Sequence, residues 1–153
     1  MATVLGSVDA VLAAPPPTTR IVAVDPAGDS GTAPDITKVT VTTKKSGVIS
    51  VIVVFKTPFG KDSSLYVYLG SQWRLGPGGL EMWDPPADDY EPMGSESGTF
   101  AIAPGGRALE ASCSLADLGN PTTFRFTVQS LDGDGGAGHM DVTPAAVWRR
   151  PAH

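Results

Sequence analysis

The sequence predicts an all-β protein, a single antiparallel β-sandwich of the jelly-roll type. The first observation is that residues 38–43 alternate between apolar and polar side chains, which is typical of a strand with one face in water. The second is the run of β-branched residues at 48–55, which is bounded by turn-forming residues. The third is the content of 18 glycines and 14 prolines, which favours frequent turns over long helices. Together they indicate seven or eight short strands joined by turns.

The predicted strands follow one another from residue 21 onward. Residues 48–55 are apolar on both faces, so we expect this strand to lie in the centre of a sheet and to be covered on both sides. A hairpin is predicted around Pro104-Gly105-Gly106. Residues 70–86 contain too many glycines and prolines to form a core strand throughout. The predicted strands are residues 21–24, 38–43, 48–55, 65–69, 99–103, 107–112 and 123–129.

One short helical turn is expected near residues 114–119, just before the last strong strand. Ser114 is suitably placed to cap its first N–H groups, and Gly119 is suited to end it. The strand that follows directs Phe124, Phe126 and Val128 to one side. We therefore expect these three side chains to belong to the core.

Composition and charge exclude several classes of protein. A chain of 153 residues with 41% hydrophobic and 18% charged residues is long enough for one globular domain with its own core. The formal net charge of −5 argues against nucleic acid as a partner, since phosphates require clustered lysine and arginine. No apolar run is long enough to predict a membrane span.

The chain divides into three predicted parts. Residues 1–19 form either an N-terminal arm or the remnant of a signal peptide, with a stiff proline spacer at 15–17. Asp9 interrupts their apolar stretch and no lysine or arginine precedes it, so both interpretations stay open. Residues 20–148 form the β-sandwich domain and residues 149–153 a C-terminal tail. We expect an extracellular, secreted protein or one on the surface of a particle.

No catalytic constellation stands out, and we expect a protein that is not an enzyme. The single cysteine, Cys113, alternates with apolar residues and is predicted to be a buried structural thiol. The two histidines are His139, in a glycine-rich segment, and the terminal His153. Neither has a second histidine at the spacing of a metal site.

Two loops rich in aspartate and glycine, residues 24–35 and 131–141, form a candidate calcium site. Ca²⁺ takes six to eight oxygen ligands, which carboxylates and flexible loops supply. The second loop does not match an EF-hand, so an ion would have to be held jointly by both loops at one end of the sandwich. The alternative is that these side chains only cap turns. The predicted metal ligands are Asp25, Asp29, Asp35, Asp132 and Asp134.

Aromatic side chains form a candidate ligand-binding face. A sugar-binding surface needs flat rings on which pyranose faces can stack, flanked by polar groups. The alternative is that the tyrosines and tryptophans pack inside the protein, where such residues are commonly buried. The predicted ligand-binding residues are Tyr66, Tyr68, Trp73, Trp83 and Tyr90.

Several short motifs give the chain a family resemblance over residues 21–148. In order, they are Asp25-Pro26-Ala27-Gly28-Asp29, Ala33-Pro34-Asp35-Ile36, Leu65-Tyr66-Val67-Tyr68-Leu69, Asp88-Asp89-Tyr90 and Phe124-Arg125-Phe126 leading to Asp132-Gly133-Asp134. This order resembles secreted bacterial β-sandwich modules related to DOMON domains and to family-nine carbohydrate-binding modules. Gly70 departs from the pattern, since such modules commonly carry an aspartate there. The resemblance implies a jelly-roll-like sandwich, often stabilised by calcium, that binds a glycan or accompanies a larger protein.

Two functions of different classes follow. The first is a non-catalytic extracellular module that binds a glycan or a cell-surface polymer and is stabilised by calcium. The second is a structural or assembly subunit of a coat, filament or virion surface. In the second case residues 1–19 would contact a neighbouring subunit and the protein would form a homo-oligomer or a larger assembly.

Overall fold

The computed structural model describes residues 20–94, 97–133 and 139–150, and within them the chain forms two antiparallel sheets packed together. The predicted β-sandwich is therefore confirmed. The described residues contain twelve strands rather than the seven or eight expected. These strands are β1 (Arg20–Val24), β2 (Ile36–Thr43), β3 (Val48–Phe55), β4 (Ser63–Leu69), β5 (Trp73–Gly76), β6 (Gly79–Asp84), β7 (Asp89–Pro92), β8 (Thr99–Ile102), β9 (Ala108–Ser114), β10 (Thr123–Asp132), β11 (Met140–Val142) and β12 (Ala146–Arg149).

One sheet has five strands and the other has seven. The first has the order β1-β2-β3-β9-β8. The second has the order β11-β10-β4-β5-β6-β7, with β12 also paired to β10. Strand β10 is long enough that β12 pairs with residues near its start and β11 with residues near its end. Strands β11 and β12 are therefore both held by β10.

The core lies between the two sheets. It consists of the inward-facing side chains, which alternate with outward-facing ones along each strand. Leu65, Val67 and Leu69 on β4 are buried, as are Phe124 and Phe126 on β10. Each fully buried side chain of this size contributes about 1.5–3 kcal/mol to the free energy of unfolding. The core residues are Ile36, Val39, Val41, Ile49, Val51, Val53, Phe55, Leu65, Val67, Leu69, Leu75, Leu80, Leu109, Ala111, Cys113, Leu115, Leu118, Phe124, Phe126, Val128 and Trp148.

The prediction for β3 is right about its position and wrong about its surroundings. The strand is central, since β2 and β9 pair with its two edges. Its outer face is not fully covered, because Ile52 is 40% exposed and Val54 is only partly buried. A two-layer sandwich buries one face of each sheet, so an apolar outer side chain can remain in contact with water.

Two strands, β5 and β6, lie within residues 70–86, the region predicted to be too broken for a core strand throughout. Leu75 and Leu80 point inward and are fully buried, which anchors the β5–β6 hairpin. The glycines that suggested a loop form its turn, since Gly76 pairs with Gly79 across Pro77-Gly78. The backbone of Gly79 has a φ of +100°, which favours glycine.

The segment predicted as a helical turn forms consecutive hydrogen-bonded turns over residues 115–119. The backbone N–H of Ala116 donates to Ser114 Oγ at 3.0 Å, as the capping role requires, and Gly119 has a φ of +75°. No helix occurs in the described residues. None of them therefore belongs to a helix that could cross a membrane.

Cys113 is buried in the core and forms no disulfide, which agrees with a structural thiol. Burial raises the pKa of this thiol to about 12, and the nearby Asp117 acts in the same direction. A thiol with so high a pKa is almost entirely protonated at neutral pH and is a poor nucleophile.

The last strand of the sandwich ends at Arg149, one residue beyond the predicted domain boundary. Residues 1–19, Asp134 and His153 lie outside the described residues.

Candidate functional site

The two aspartate-rich loops meet at one end of the sandwich. The N–H of Ile36 donates to Asp141 Oδ2 at 2.7 Å, and Ser130 Oγ donates to the carbonyl oxygen of Pro34 at 2.6 Å. Thr32 Oγ1 lies 2.7 Å from His139 Nδ1. The connection between β1 and β2 therefore lies against β10 and β11 of the other sheet.

Three carboxylates converge where these loops meet. Asp25, Asp29 and Asp141 each place one carboxylate oxygen so that all three oxygens lie within 4.8 Å of one another. Asp25 directly follows β1, where Pro26 cannot donate a ladder hydrogen bond and the strand ends. Asp141 is the central residue of β11 and points inward, while its neighbours Met140 and Val142 are exposed. We call Asp25, Asp29, Asp141 and the adjacent Asp35 the acidic cluster.

Burial and mutual repulsion raise the proton affinity of this cluster. Asp25 is only 5% exposed and Asp141 only 4%. Burial is the main cause that raises the pKa of Asp25 to about 6, and the charges of Asp141, Asp29 and Asp35 add to it. Burial also raises the pKa of Asp141, partly offset by the hydrogen bond from the N–H of Ile36. The cluster therefore concentrates negative charge where water screens it poorly.

Two carboxylate oxygens of the cluster are buried without a hydrogen-bond partner. They are Oδ2 of Asp25 and Oδ1 of Asp35. The other oxygen of Asp35 accepts a hydrogen bond from the N–H of Gly28 at 2.9 Å. Within the described residues, no lysine, arginine or histidine forms an ion pair with the cluster. A buried carboxylate oxygen without a partner is costly, so each of these oxygens needs an explanation.

Sequence reasoning identified part of this cluster. Asp25, Asp29 and Asp35 come together as proposed for a calcium site, and Asp141 joins them in place of Asp132. Asp132 lies instead beside His139, with Oδ2 4.0 Å from Nδ1. Asp134 is outside the described residues. No sequence signal indicated Asp141, because alternation would place Met140 and Val142 inward and the aspartate outward, whereas the structure exposes both neighbours and buries Asp141.

His139 does not form a catalytic relay with Thr32 and Asp132, its neighbours among the described residues. Thr32 Oγ1 and Asp132 Oδ2 both approach the same ring nitrogen, Nδ1. In a hydrolase triad the nucleophile and the carboxylate contact opposite nitrogens, so that a proton can pass across the ring. The imidazole is also largely exposed, with 46% of its side-chain surface accessible. This arrangement links the two loops without activating Thr32.

A row of four aromatic rings runs along the outer face of the seven-stranded sheet. Tyr66 and Tyr68 project from β4, Trp83 from β6 and Tyr90 from β7. The ring centroids are 6.4 Å apart for Tyr66–Tyr68, 6.0 Å for Tyr68–Tyr90 and 5.2 Å for Tyr90–Trp83. All four side chains are partly buried and lie on the face opposite the core. We call these four residues the aromatic row.

Arg74 and Glu81 hold the rings in place. The guanidinium carbon of Arg74 lies 4.4 Å from the centroid of Tyr66 and 4.3 Å from that of Tyr90. Arg74 also forms an ion pair with Glu81 on the next strand. Burial raises the pKa of Tyr90, and Tyr68 adds to this effect, so its hydroxyl remains neutral at physiological pH. The contacts of Arg74 therefore fix Tyr66 and Tyr90 on the same face of the sheet.

Polar side chains flank the aromatic row. The hydroxyl of Tyr68 donates to Gln129 Oε1 at 3.0 Å. A shallow pocket beside Tyr68 is lined in part by Ser71, Arg125 and Thr127. Arg125 is exposed and Thr127 partly so, which leaves hydrogen-bonding groups next to the ring. The surface thus combines flat apolar area with donors and acceptors.

Trp73 is the one predicted ligand-binding residue that lies apart from the row. It points inward from β5 and packs against the core, while Arg74 beside it points outward. Successive side chains of a strand face opposite sides, so Trp73 and the aromatic row cannot contact one ligand on the same face. Trp73 lines a different pocket, together with Leu118 and Phe124.

No protein-family model matches this sequence, and a search of curated proteins returned no match.

Proposed function

We propose that this protein is a non-catalytic extracellular module that binds a glycan or a cell-surface polymer through the aromatic row. The observation that carries the proposal is the continuous set of four rings on a sheet face pointing away from the core. The extracellular location rests on the resemblance to secreted β-sandwich modules.

The chemistry of the row favours a carbohydrate. Pyranose rings present flat C–H faces that pack on aromatic rings, while their hydroxyl groups need donors and acceptors at the edge of the contact. Tyr68 and Tyr90 provide both a ring and a hydroxyl, and Arg125 and Thr127 add polar groups beside Tyr68. A row of rings rather than a closed cavity suits an extended polymer more than a single small molecule.

Several titratable groups of the described residues lack the arrangement that catalysis needs. The thiol of Cys113 is buried with a pKa of about 12, and Thr32 and Asp132 meet the same nitrogen of His139. Arg74 and Glu81 neutralise each other beneath the rings. None of these groups is arranged as a nucleophile with its base.

Affinity electrophoresis tests the proposal. Native gels containing xylan, hydroxyethylcellulose, galactomannan or soluble peptidoglycan should retard the protein in at least one case. A central aromatic contact is worth about 2 kcal/mol, so Trp83→Ala and Tyr90→Ala should each weaken that binding roughly thirtyfold. Circular dichroism should show that both variants keep the β-sheet spectrum.

Met82→Ala is the matched control, because Met82 neighbours Trp83 on β6 but points to the other face and is 41% exposed. Its retardation should equal that of the unmodified protein. Absence of retardation by every polymer, or equal retardation of all variants, contradicts the proposal.

A second candidate function, assembly into a larger structure, has one observation in its favour. Val22, Val24 and Ile52 are exposed apolar side chains on the outer face of the five-stranded sheet. Val22 pairs with Thr40, which in turn pairs with Ile52. Val22 and Ile52 therefore lie along one line across the sheet. The oligomeric state in solution tests this candidate.

A further inference from the structure

We propose that the glycan recognised by the aromatic row is acidic, and that Arg125 binds an anionic oxygen group on it, a carboxylate or a phosphate, while Arg149 adds positive charge nearby. This specificity rests on the proposed glycan-binding function and adds to it the chemical class of the ligand. Arg125 is then a specificity-determining residue, since a neutral polymer offers no anionic group with which a guanidinium can pair.

Arg125 lies next to the aromatic row on the outer face of the seven-stranded sheet. Its neighbours on β10, Phe124 and Phe126, are buried, so its own exposed side chain points away from the core. Thr127 pairs with Tyr68 of β4, which makes Arg125 and Tyr68 diagonal neighbours on one face. Such neighbours lie roughly 7–8 Å apart, within reach of a long side chain. A sugar ring stacked on Tyr68 can therefore present a substituent to the guanidinium of Arg125.

The space around Arg125 is open to a ligand. Gly70, which directly follows β4, lies opposite Arg125, since its N–H donates to the carbonyl oxygen of Arg125 at 2.7 Å. Because a glycine has no side chain, nothing covers the guanidinium from that position. Both residues line the shallow pocket beside Tyr68, which has a volume of about 460 Å³. None of the described residues that line this pocket is acidic, so an anionic group entering it meets no competing carboxylate.

Arg125 and Arg149 form a pair of cations without acidic partners. Arg149 is exposed on β12 and lies opposite Thr123, two residues before Arg125 on β10, so the two arginines are diagonal neighbours on one face. Among the described residues, no carboxylate forms an ion pair with either of them. Like charges this close repel each other, and an anion bound beside them offsets the repulsion.

The outer face of the seven-stranded sheet has a charge opposite to that of the whole chain. Among the outward side chains of the described strands of this sheet, the only carboxylate is that of Glu81, and Arg74 pairs with it. Arg125 and Arg149 therefore leave this face positive, whereas the whole chain has a formal net charge of −5. Charges more than about 8 Å apart are largely screened at physiological ionic strength. Attraction of an acidic polymer thus depends on contact with this face.

The chemistry of arginine suits a carboxylate or a phosphate. The guanidinium presents its N–H donors in a planar fork that matches two oxygens of either group, and it remains charged at physiological pH. Tyr68 supplies the ring on which a sugar packs, and Arg125 pairs with the charge that the sugar carries. The two contacts together distinguish an acidic polymer from a neutral one of the same shape.

Affinity electrophoresis with matched pairs of polymers measures this specificity. Polygalacturonate is compared with its fully methyl-esterified form, which has the same backbone without the charge, and phosphorylated mannan is compared with unmodified mannan. At least one acidic polymer should bind about tenfold more tightly than its neutral counterpart, as one charge-assisted hydrogen bond provides. The pair that shows the preference identifies the anionic group as a carboxylate or a phosphate.

Arg125→Gln should abolish the preference for the acidic polymer and leave binding of the neutral polymer unchanged. Arg125→Lys keeps the charge but loses the fork, so it should retain part of the preference. Arg20→Gln is the matched control, because Arg20 is also exposed but lies on β1 of the other sheet, and its loss changes the net charge equally. This control should keep the full preference. All three variants replace exposed side chains and should therefore fold.

Equal binding or no binding of the acidic and neutral polymers, or a preference that survives in Arg125→Gln, would overturn the proposal. An equal loss of the preference in Arg20→Gln would do the same, since net charge would then explain the effect. Trp83→Ala should weaken binding of both polymers of a pair and leave their ratio unchanged, because it removes a ring and no charge. If Arg125→Gln removes the preference while Trp83→Ala alters neither binding constant, the acidic specificity holds and the proposed role of the aromatic row fails.

Discussion

Arg74 has three partners that all lie on the outer face of one sheet. Its guanidinium contacts the rings of Tyr66 and Tyr90 and pairs with Glu81. The side chains of Arg74 and Glu81 are only 18% and 15% exposed, so the pair is screened less than a fully exposed one. Arg74 is therefore expected to stabilise the aromatic row as well as the strands beneath it.

Arg74→Met should lower the free energy of unfolding by about 1–2 kcal/mol, because it removes two cation–π contacts and leaves Glu81 without a partner. The double variant Arg74→Met/Glu81→Met should be less destabilised than the sum of the single variants, because the unpaired carboxylate is gone. Urea unfolding of all four proteins measures this coupling. If the two substitutions are additive within about 0.3 kcal/mol, the pair does not act as a unit.

The acidic cluster shows how much of the position of each carboxylate the sequence predicts. Asp25, Asp29 and Asp35 come from one continuous loop, so their proximity follows from short spacing in the sequence. Asp141 is brought to them by pairing between β10 and β11, which loop composition alone does not reveal. Asp132 was the more obvious candidate, because it opens the Asp-Gly turn, yet its position directs it to His139.

Among the elements, β12 is short but contributes the largest fully buried side chain. Trp148 is 0% exposed and stacks on Phe124, with ring centroids 4.7 Å apart and planes tilted by 17°. Its indole Nε1 donates to Thr43 Oγ1 at 2.6 Å, which links β12 to β2 of the other sheet. Strand β12 thus places one polar side-chain hydrogen bond inside an apolar core.

Thr43→Val should lower the free energy of unfolding by about 1–3 kcal/mol, because it leaves the buried indole N–H without an acceptor at nearly constant side-chain volume. Thr43→Ser keeps the hydroxyl and should cost clearly less. Urea unfolding followed by tryptophan fluorescence compares the two variants. Equal losses for valine and serine would show that the hydroxyl does not determine the effect.

The strands differ in how well the sequence predicts them, and the reason is physical. Strand β3 is a continuous β-branched run whose preference for extended structure is local, and it was predicted with its observed bounds. Strands β5 and β6 contain glycines at the positions that form their turn, and their burial depends on Leu75 and Leu80 meeting the opposite sheet. Tertiary packing therefore determines these strands, and local composition favours a loop.

For the whole molecule, the molecular mass of the protein in solution tests the assembly function against the glycan-binding function. If residues 1–19 mediate assembly, the full chain should form oligomers and a chain beginning at residue 20 should be monomeric. Size-exclusion chromatography with light scattering measures both masses. Ile52→Thr, on the outer face of the five-stranded sheet, tests whether that face takes part. A full chain that is monomeric at high concentration excludes the assembly function.

The sandwich architecture was predictable because alternation and turn residues report directly on strands and their exposed faces. The arrangement of strands in the two sheets was not, since it depends on pairings between distant parts of the chain. Strand β3, for example, pairs with β9 across the hairpins of the other sheet. The outer-face position of the aromatic row follows from alternation on β4, but the approach of Tyr90 to Tyr68 depends on β5, β6 and β7.

Two hydrogen bonds at opposite ends of β2 have a consequence for the order of folding. Ile36 bonds to Asp141 and Thr43 to Trp148, and each pair is separated by 105 residues in the chain. During synthesis, both ends of β2 therefore lack these two hydrogen bonds until Asp141 and Trp148 have been made. A chain cut before Asp141 would lack both hydrogen bonds at once and leave β2 unconnected to β11 and β12 of the other sheet.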